Sequence, residues 1–143
     1  MASTFTATNA GSGVQPRTGE GVIAVVSKYT QAAAYVINDV IQMVKVPKGA
    51  VILDVALSCE DLDTHATPTI VLEVGDGEDT DRYITGSTIG QAGGLASLAR
   101  YNGHGYQYTA NDTIDVKVTT APATGTTDKS IMLTVLYTMH DDV

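Results

Sequence analysis

The sequence predicts an all-β domain, an antiparallel sandwich or barrel, from three observations. Val, Ile and Thr are abundant and Tyr outnumbers Phe seven to one, and β-branched and aromatic side chains suit a pleated surface. The 14 Gly join Asp and Asn in clusters that punctuate the chain where tight turns need unusual backbone angles. Between those clusters, apolar and polar residues alternate with period two, and almost no segment holds a helical period.

Residues 1–20 are Ser, Thr, Gly and Ala with Pro16 and little apolar content. Alone, such a segment cannot offset its ordering entropy, so a flexible N-terminal arm is expected, either free or ordered on a neighbouring subunit. Residues 21–143 then form a single β-sandwich domain, in keeping with a chain of 143 residues. Gly21 to Thr30 reads as a strand with Ile23, Val25, Ser27 and Tyr29 on one face. Gln31 to Ala34 could start a helical turn, and Asn38-Asp39 marks a turn or bulge.

Val40 to Val46 is the next strand, and Pro47-Lys48-Gly49-Ala50 supplies a preset φ followed by a residue free to take positive φ, a tight reversal. Val51 to Cys59 is the clearest strand. Its period of two puts Val51, Leu53, Val55, Leu57 and Cys59 on a core face, opposite Ile52, Asp54, Ala56 and Ser58. After a polar loop (Glu60 to Thr67), Pro68 opens a strand over Thr69 to Val74, and Gly75 to Asp81 is an acidic loop. Arg82 to Thr85 reads as a short strand. Gly86 to Arg100 is a small-residue connection with a helical turn over Leu95–Ala99. Tyr106 and Tyr108 alternate on a short strand. Thr113 to Thr119 turns Ile114, Val116 and Val118 inward, and Ser130 to Met139 does the same with Ile131, Leu133, Val135 and Tyr137. The total is about eight strands with frequent turns.

The net charge is −8 and uneven: residues 1–59 carry four basic groups against three acidic, the remaining 84 carry four against thirteen. An acidic surface repels phosphate, which disfavours nucleic acid and anionic lipid as partners. The single cysteine cannot form an internal disulfide, and Glu60 and Asp61 beside Cys59 discourage its thiolate. The N-terminus has neither the basic nor the apolar region of a secretory signal, and no apolar run approaches a membrane span.

No residue pattern specifies a catalytic apparatus or a cofactor. Asp76, Glu78, Asp79 and Asp81 are spaced closely enough to supply oxygen ligands to a hard cation, but lack an EF-hand's spacing and its terminal glutamate. A solvated acidic loop with Arg82 as local partner fits better. His65, His104 and His140 are scattered, with no His-x-His pair for a cupin-type metal. Gly86-Ser87-Thr88-Ile89-Gly90 has serine in the wrong place for a nucleophile elbow. Tyr101, Tyr106 and Tyr108, around Gly103 and Gly105, could serve a subunit contact or stack on a sugar.

The run KVPKGAVILDVALSCEDLDTHATPTIVLEVGDGEDTDRYITGS and the later YTANDTIDVKVTTAPATGTTDKSIMLTVLYTM resemble the small capsid decoration, or cement, proteins of tailed bacteriophages. The resemblance implies a jelly-roll-like sandwich that assembles as a homo-oligomer, dimer or trimer. It implies a protein made in the host cytoplasm that binds the major capsid protein on the outer virion surface and needs no enzyme activity or cofactor. The arm residues Phe5, Gln15 and Arg17 and the tyrosines Tyr101, Tyr106 and Tyr108 are the expected contacts. A carbohydrate- or receptor-binding virion module is the alternative.

Overall fold

The apolar alternations close into two facing sheets. The computed structural model describes residues 1–7 and 21–140, within which lie nine strands: β1 (Thr4–Thr6), β2 (Ile23–Thr30), β3 (Val40–Val46), β4 (Ala50–Cys59), β5 (Val71–Gly75), β6 (Ile84–Ser87), β7 (Gly94–Ser97), β8 (Asp112–Thr120) and β9 (Ser130–Met139). Sheet I orders them β1-β3-β8-β5-β6 and sheet II β2-β9-β4-β7. With β1 set aside, the first strand pairs the last (β2 with β9), then β3 with β8, β4 with β7 and β5 with β6, all antiparallel. That nested pairing, folded over into two layers, is the double Greek key of a jelly roll. The expected all-β sandwich therefore holds, with one strand added at an edge.

The core is made by the inward faces. Ile114, Val116 and Val118 of β8 and Ile131, Leu133, Val135 and Tyr137 of β9 are buried as their alternation predicts. On β2, Ser27 is buried and Ile23, Val25 and Tyr29 are half-buried, while Ala24, Val26 and Lys28 face out. Gly49 takes φ +92° in the Pro47–Ala50 reversal, and a Cβ there would lie 2.8 Å from the His140 carbonyl oxygen. The turn thus requires glycine for both conformation and space.

β4 corrects the expected core face. Ile52 is opposite Tyr137, but Asp54, not Leu53, is opposite Leu136, so Leu53 is an extra residue in the ladder. A bulge of one residue reverses inside and outside beyond it. Ala50 and Ile52 are buried before it and Val55 and Leu57 after it, whereas Val51 and Leu53 sit on the outer side. Because Val51, Ile52 and Leu53 are all apolar, alternation alone could not show the reversal. Ile52→Ala should accordingly cost about 2–4 kcal/mol in urea unfolding and Leu53→Ala about 1 kcal/mol or less. Equal losses would refute this assignment of faces.

Three further expectations change. The helical turn over Leu95–Ala99 is instead β7, paired with β4 through Leu95 opposite Ser58, and the helical geometry falls on Ile89–Gln91 as a single 3-10 turn. No helical turn forms at residues 31–34. The Tyr106–Tyr108 segment is no regular strand, only a bridge from Gln107 to Val51, because it pairs briefly with the start of β4 before that strand's bulge.

The start of the expected arm is paired with the sandwich. Thr4–Thr6 is paired in parallel with Val40–Gln42, the Ser3 amide donates to Asp39 Oδ1 at 2.7 Å, and Ala7 is buried. The first seven residues belong to the sandwich; residues 8–20 lie outside the described residues.

Candidate interaction surface

The acidic loop is organised from within. Asp76 follows directly on β5, and its neighbour Gly75 has Asp79 and Thr80 backbone so close that no Cβ would fit. The loop curls over Asp76, whose Oδ1 accepts the amides of Glu78 (3.1 Å) and Asp79 (2.9 Å). Arg82 Nε donates to Asp76 Oδ2 at 2.7 Å and its terminal nitrogen to Oδ1 at 3.3 Å. The Tyr108 hydroxyl donates to Asp76 Oδ2 at 2.9 Å, and lies 2.7 Å from the Tyr83 hydroxyl. Burial disfavours charge on Asp76, but Arg82, the Asp79 amide and Tyr108 outweigh it and hold the carboxyl below its ordinary range.

This arrangement corrects the picture of a solvated loop. Asp76 is 2% exposed, and Arg82 is its buried partner. Glu78 and Asp79 reach Arg82 only at 3.9 Å, and Asp81 pairs instead with Arg100 at 3.4 Å. Against the cation reading of Asp76, Glu78, Asp79 and Asp81, both oxygens of Asp76 are already engaged by amides, Arg82 and Tyr108, and Asp81 is paired with Arg100. Among the described residues no group of three or more His, Cys, Asp or Glu side chains is disposed to hold a metal.

The tyrosines do not form a common platform. Tyr108 is buried in the network above, contrary to its assignment as a contact residue, because its hydroxyl completes the Asp76 site. Tyr106 is half-buried, stacked edge-on to Tyr108 with ring centroids 5.0 Å apart, and the Arg82 guanidinium carbon lies 3.7 Å over its ring. Tyr101 alone of the three projects, 94% exposed. Phe5 is half-buried against Tyr29 and Tyr35, at centroid distances of 5.6 and 6.2 Å, so it anchors β1 within this chain. Gln15 and Arg17 lie outside the described residues.

A second buried carboxylate went unread in the sequence. Asp63 accepts the amides of His65 (3.3 Å), Thr69 (2.7 Å), Ile70 (3.2 Å), Ala123 (2.8 Å) and Thr124 (2.8 Å). It ties the loop after β4 to the loop between β8 and β9. Cys59 is half-buried, and burial with Asp61 and Glu60 nearby pushes its thiol up to about 11, so it is no nucleophile at neutral pH.

The outer faces of the sheets differ in chemistry. On sheet I, Lys45, Glu73, Asp115 and Lys117 point outward. On sheet II the cross-strand rows are Lys28–Met132–Ser58–Leu95, Val26–Thr134–Ala56–Ser97 and Ala24–Leu136–Asp54. Among the described residues those rows carry only Lys28 and Asp54 as charges, on a protein of net charge −8, and they expose Val26, Met132 and Leu95. Exposed large apolar side chains on a sparsely charged face suit an interaction surface.

No protein-family model matches the chain, and no curated protein matches it. Solved structures do. A chain in the capsid of Ralstonia phage GP4 superposes with a TM-score of 0.85 at 27% identity, over 97% of this chain and 99% of that one. A chain in the capsid asymmetric unit of cyanophage Pam1 superposes at 0.77 with 31% identity, over 88% and 91%. A chain in the acid-stable capsid of Helicobacter pylori bacteriophage KHP30 shares the fold, with a TM-score of 0.60 at 19% identity over 82% and 87%.

Proposed function

We propose, because this chain belongs to a phage capsid-related protein family, that it is a non-enzymatic virion structural protein that binds the outside of the shell and stabilises it as a decoration, or cement, protein. The observation that carries the reading is the end-to-end likeness to the Ralstonia phage capsid chain, which covers nearly the whole of both chains. That chain is matched over 99% of its length, so it is about the size of this small jelly roll, and a subunit of this size suits an accessory place on a shell. An acidic domain is poorly suited to the DNA side of a shell. Weak contacts repeated over many copies stabilise a shell through avidity, with no tight single site and no cofactor.

The sparsely charged face of sheet II is the surface for self-association, as a dimer or trimer. A two-fold axis in the plane of that face can bring Lys28 of one copy over Asp54 of the next and the reverse, the self-complementarity an isologous interface needs. The glycan-binding alternative required Tyr101, Tyr106 and Tyr108 side by side, and the burial of Tyr108 removes its platform.

The test adds purified protein to expanded capsids that lack it. Co-sedimentation and raised resistance to heat or chelator are expected, and sedimentation velocity should find a dimer or trimer that Ala56→Glu, at the centre of the sheet II face, converts to monomer. Failure to bind mature shells, together with hits on a glycan array, would overturn the reading.

A further inference from the structure

Asp115 is the buried charge that the fold leaves unmatched. It points to the outer side of sheet I, between Val116 and Ile114 that face the core, and yet it is only 9% exposed. It lies beneath a cavity of about 200 Å³ lined by Val40, Asp76, Gly77, Thr80, Asp115 and Lys117. Its Oδ1 has no hydrogen-bond partner. A buried carboxylate oxygen without a donor is costly, and in a native structure it calls for an explanation.

The other charged groups lining the cavity are Asp76 and Lys117. Asp76 is paired with Arg82, and Lys117 stands directly across the strand pair from Glu73. On the β3 side Asp115 is opposite the neutral Gln42, and on the β5 side it is opposite Gly75. Lys45 and Asp112, further along sheet I, are opposite one another's neighbours at the far end of the β3–β8 pair. Among the described residues Asp115 takes part in no ion pair, although Lys117 shares the cavity lining.

We infer that this cavity is a socket for one basic side chain, an arginine or lysine, presented by the capsid subunit against which the protein sits. The inference rests on the decoration reading for the identity of the partner, while the socket itself is a property of the isolated chain. An inserted guanidinium or ammonium would donate to Oδ1, and the strength of a charge-assisted bond in a water-poor site makes this one contact selective. In the free protein burial pushes Asp115 up to about 7; the Thr113 hydroxyl opposes this, and Asp112 and Asp76 add to it. The socket is therefore charged, and ready for a cation, chiefly above neutral pH.

Two measurements test the inference separately from the decoration reading. In the first, N-acetylarginine amide is titrated into the isolated protein and the Asp115 carboxyl is followed by NMR. Its midpoint should fall, with shift changes centred on Val40, Gly77, Thr80 and Lys117, and Asp115→Asn should abolish the response. No response at Asp115, or a response to Ca²⁺ alone, would overturn the socket. In the second, binding to expanded capsids should tighten between about pH 6 and pH 8, and Asp115→Asn should weaken it at least about tenfold at the higher pH. Asp115→Asn should fold at least as stably as the parent, because it removes an unpaired buried charge. Unchanged shell binding by this variant would overturn the assignment to the capsid contact. Shells that bind no protein at all, beside a positive arginine titration, would overturn the decoration reading and leave the socket standing.

Discussion

Arg82→Ala should destabilise the protein by about 3–5 kcal/mol, the range for breaking a buried ion pair by removing one member. Arg82 is 7% exposed and Asp76 2%, so the carboxylate left behind cannot rehydrate without opening the loop. It would also lie close to Asp115 with no cation to separate the two. The loss includes packing, since the guanidinium covers the Tyr106 ring at 3.7 Å. Arg82→Lys should recover only part, because an ammonium cannot reproduce the two-pronged contact at 2.7 and 3.3 Å or the stacking. Adding Asp76→Asn to Arg82→Ala should restore some stability, since the stranded charge is then gone. Urea unfolding at neutral pH measures all of these. A loss below about 1 kcal/mol for Arg82→Ala would show that the pair is dispensable.

Asp63→Ala should be the second most damaging change, on the order of 3 kcal/mol, because it strands five amides that share one carboxylate at the end of the sandwich. The pH dependence gives it a distinct signature. Burial opposes charge on Asp63, but the Thr124, Thr69, Ala123 and His65 amides outweigh it and hold its carboxyl well below the usual carboxylate range. A folded-state value below the unfolded one, about 3.9, gives stability that is complete above about pH 5 and lost as the pH falls toward the folded value. Asp115 has the opposite sign. Its folded value of about 7 means that the native state binds the extra proton, so stability declines as the pH climbs from about 4 to about 7. Stability of the parent should thus peak on the mildly acidic side. Asp63→Ala should flatten the acid limb and Asp115→Asn the neutral one. Urea midpoints across that range decide the matter, and an acid limb of unchanged slope in Asp63→Ala would rule out Asp63 as its source.

Much of the scaffold was legible because the responsible interactions are local. The alternations of β8 and β9 identified their buried faces, and Pro47-Lys48-Gly49-Ala50 announced its turn, since backbone angles and side-chain direction depend on near neighbours. The β7 strand was illegible for the same reason. Gly94-Leu95-Ala96-Ser97 has little strand propensity of its own and is held extended by pairing with β4.

The candidate sites were less legible, because burial of a polar group is a property of the assembled fold. Asp76 and Arg82 were read as neighbours, but that they are inside rather than in solvent depended on Tyr108 arriving from a distant segment. Asp63 sits in a run of polar residues indistinguishable from a solvated loop until the β8–β9 connection supplies amides to it. Asp115 occupies the polar phase of its strand, where alternation predicts exposure, and the cavity beside the 76–81 loop contradicts that.

By itself, then, the sequence determined an all-β sandwich, the turns between most strands, an acidic composition, and a likeness to phage capsid proteins that solved capsid chains support. Only the tertiary structure decided which face of β4 is core, where Phe5 docks, and which carboxylates are matched. The division has one physical reason. Period and turn chemistry are written over a few adjacent residues, whereas a bulge, a buried ion pair or an unmatched charge is fixed by strands brought together from far apart in the chain.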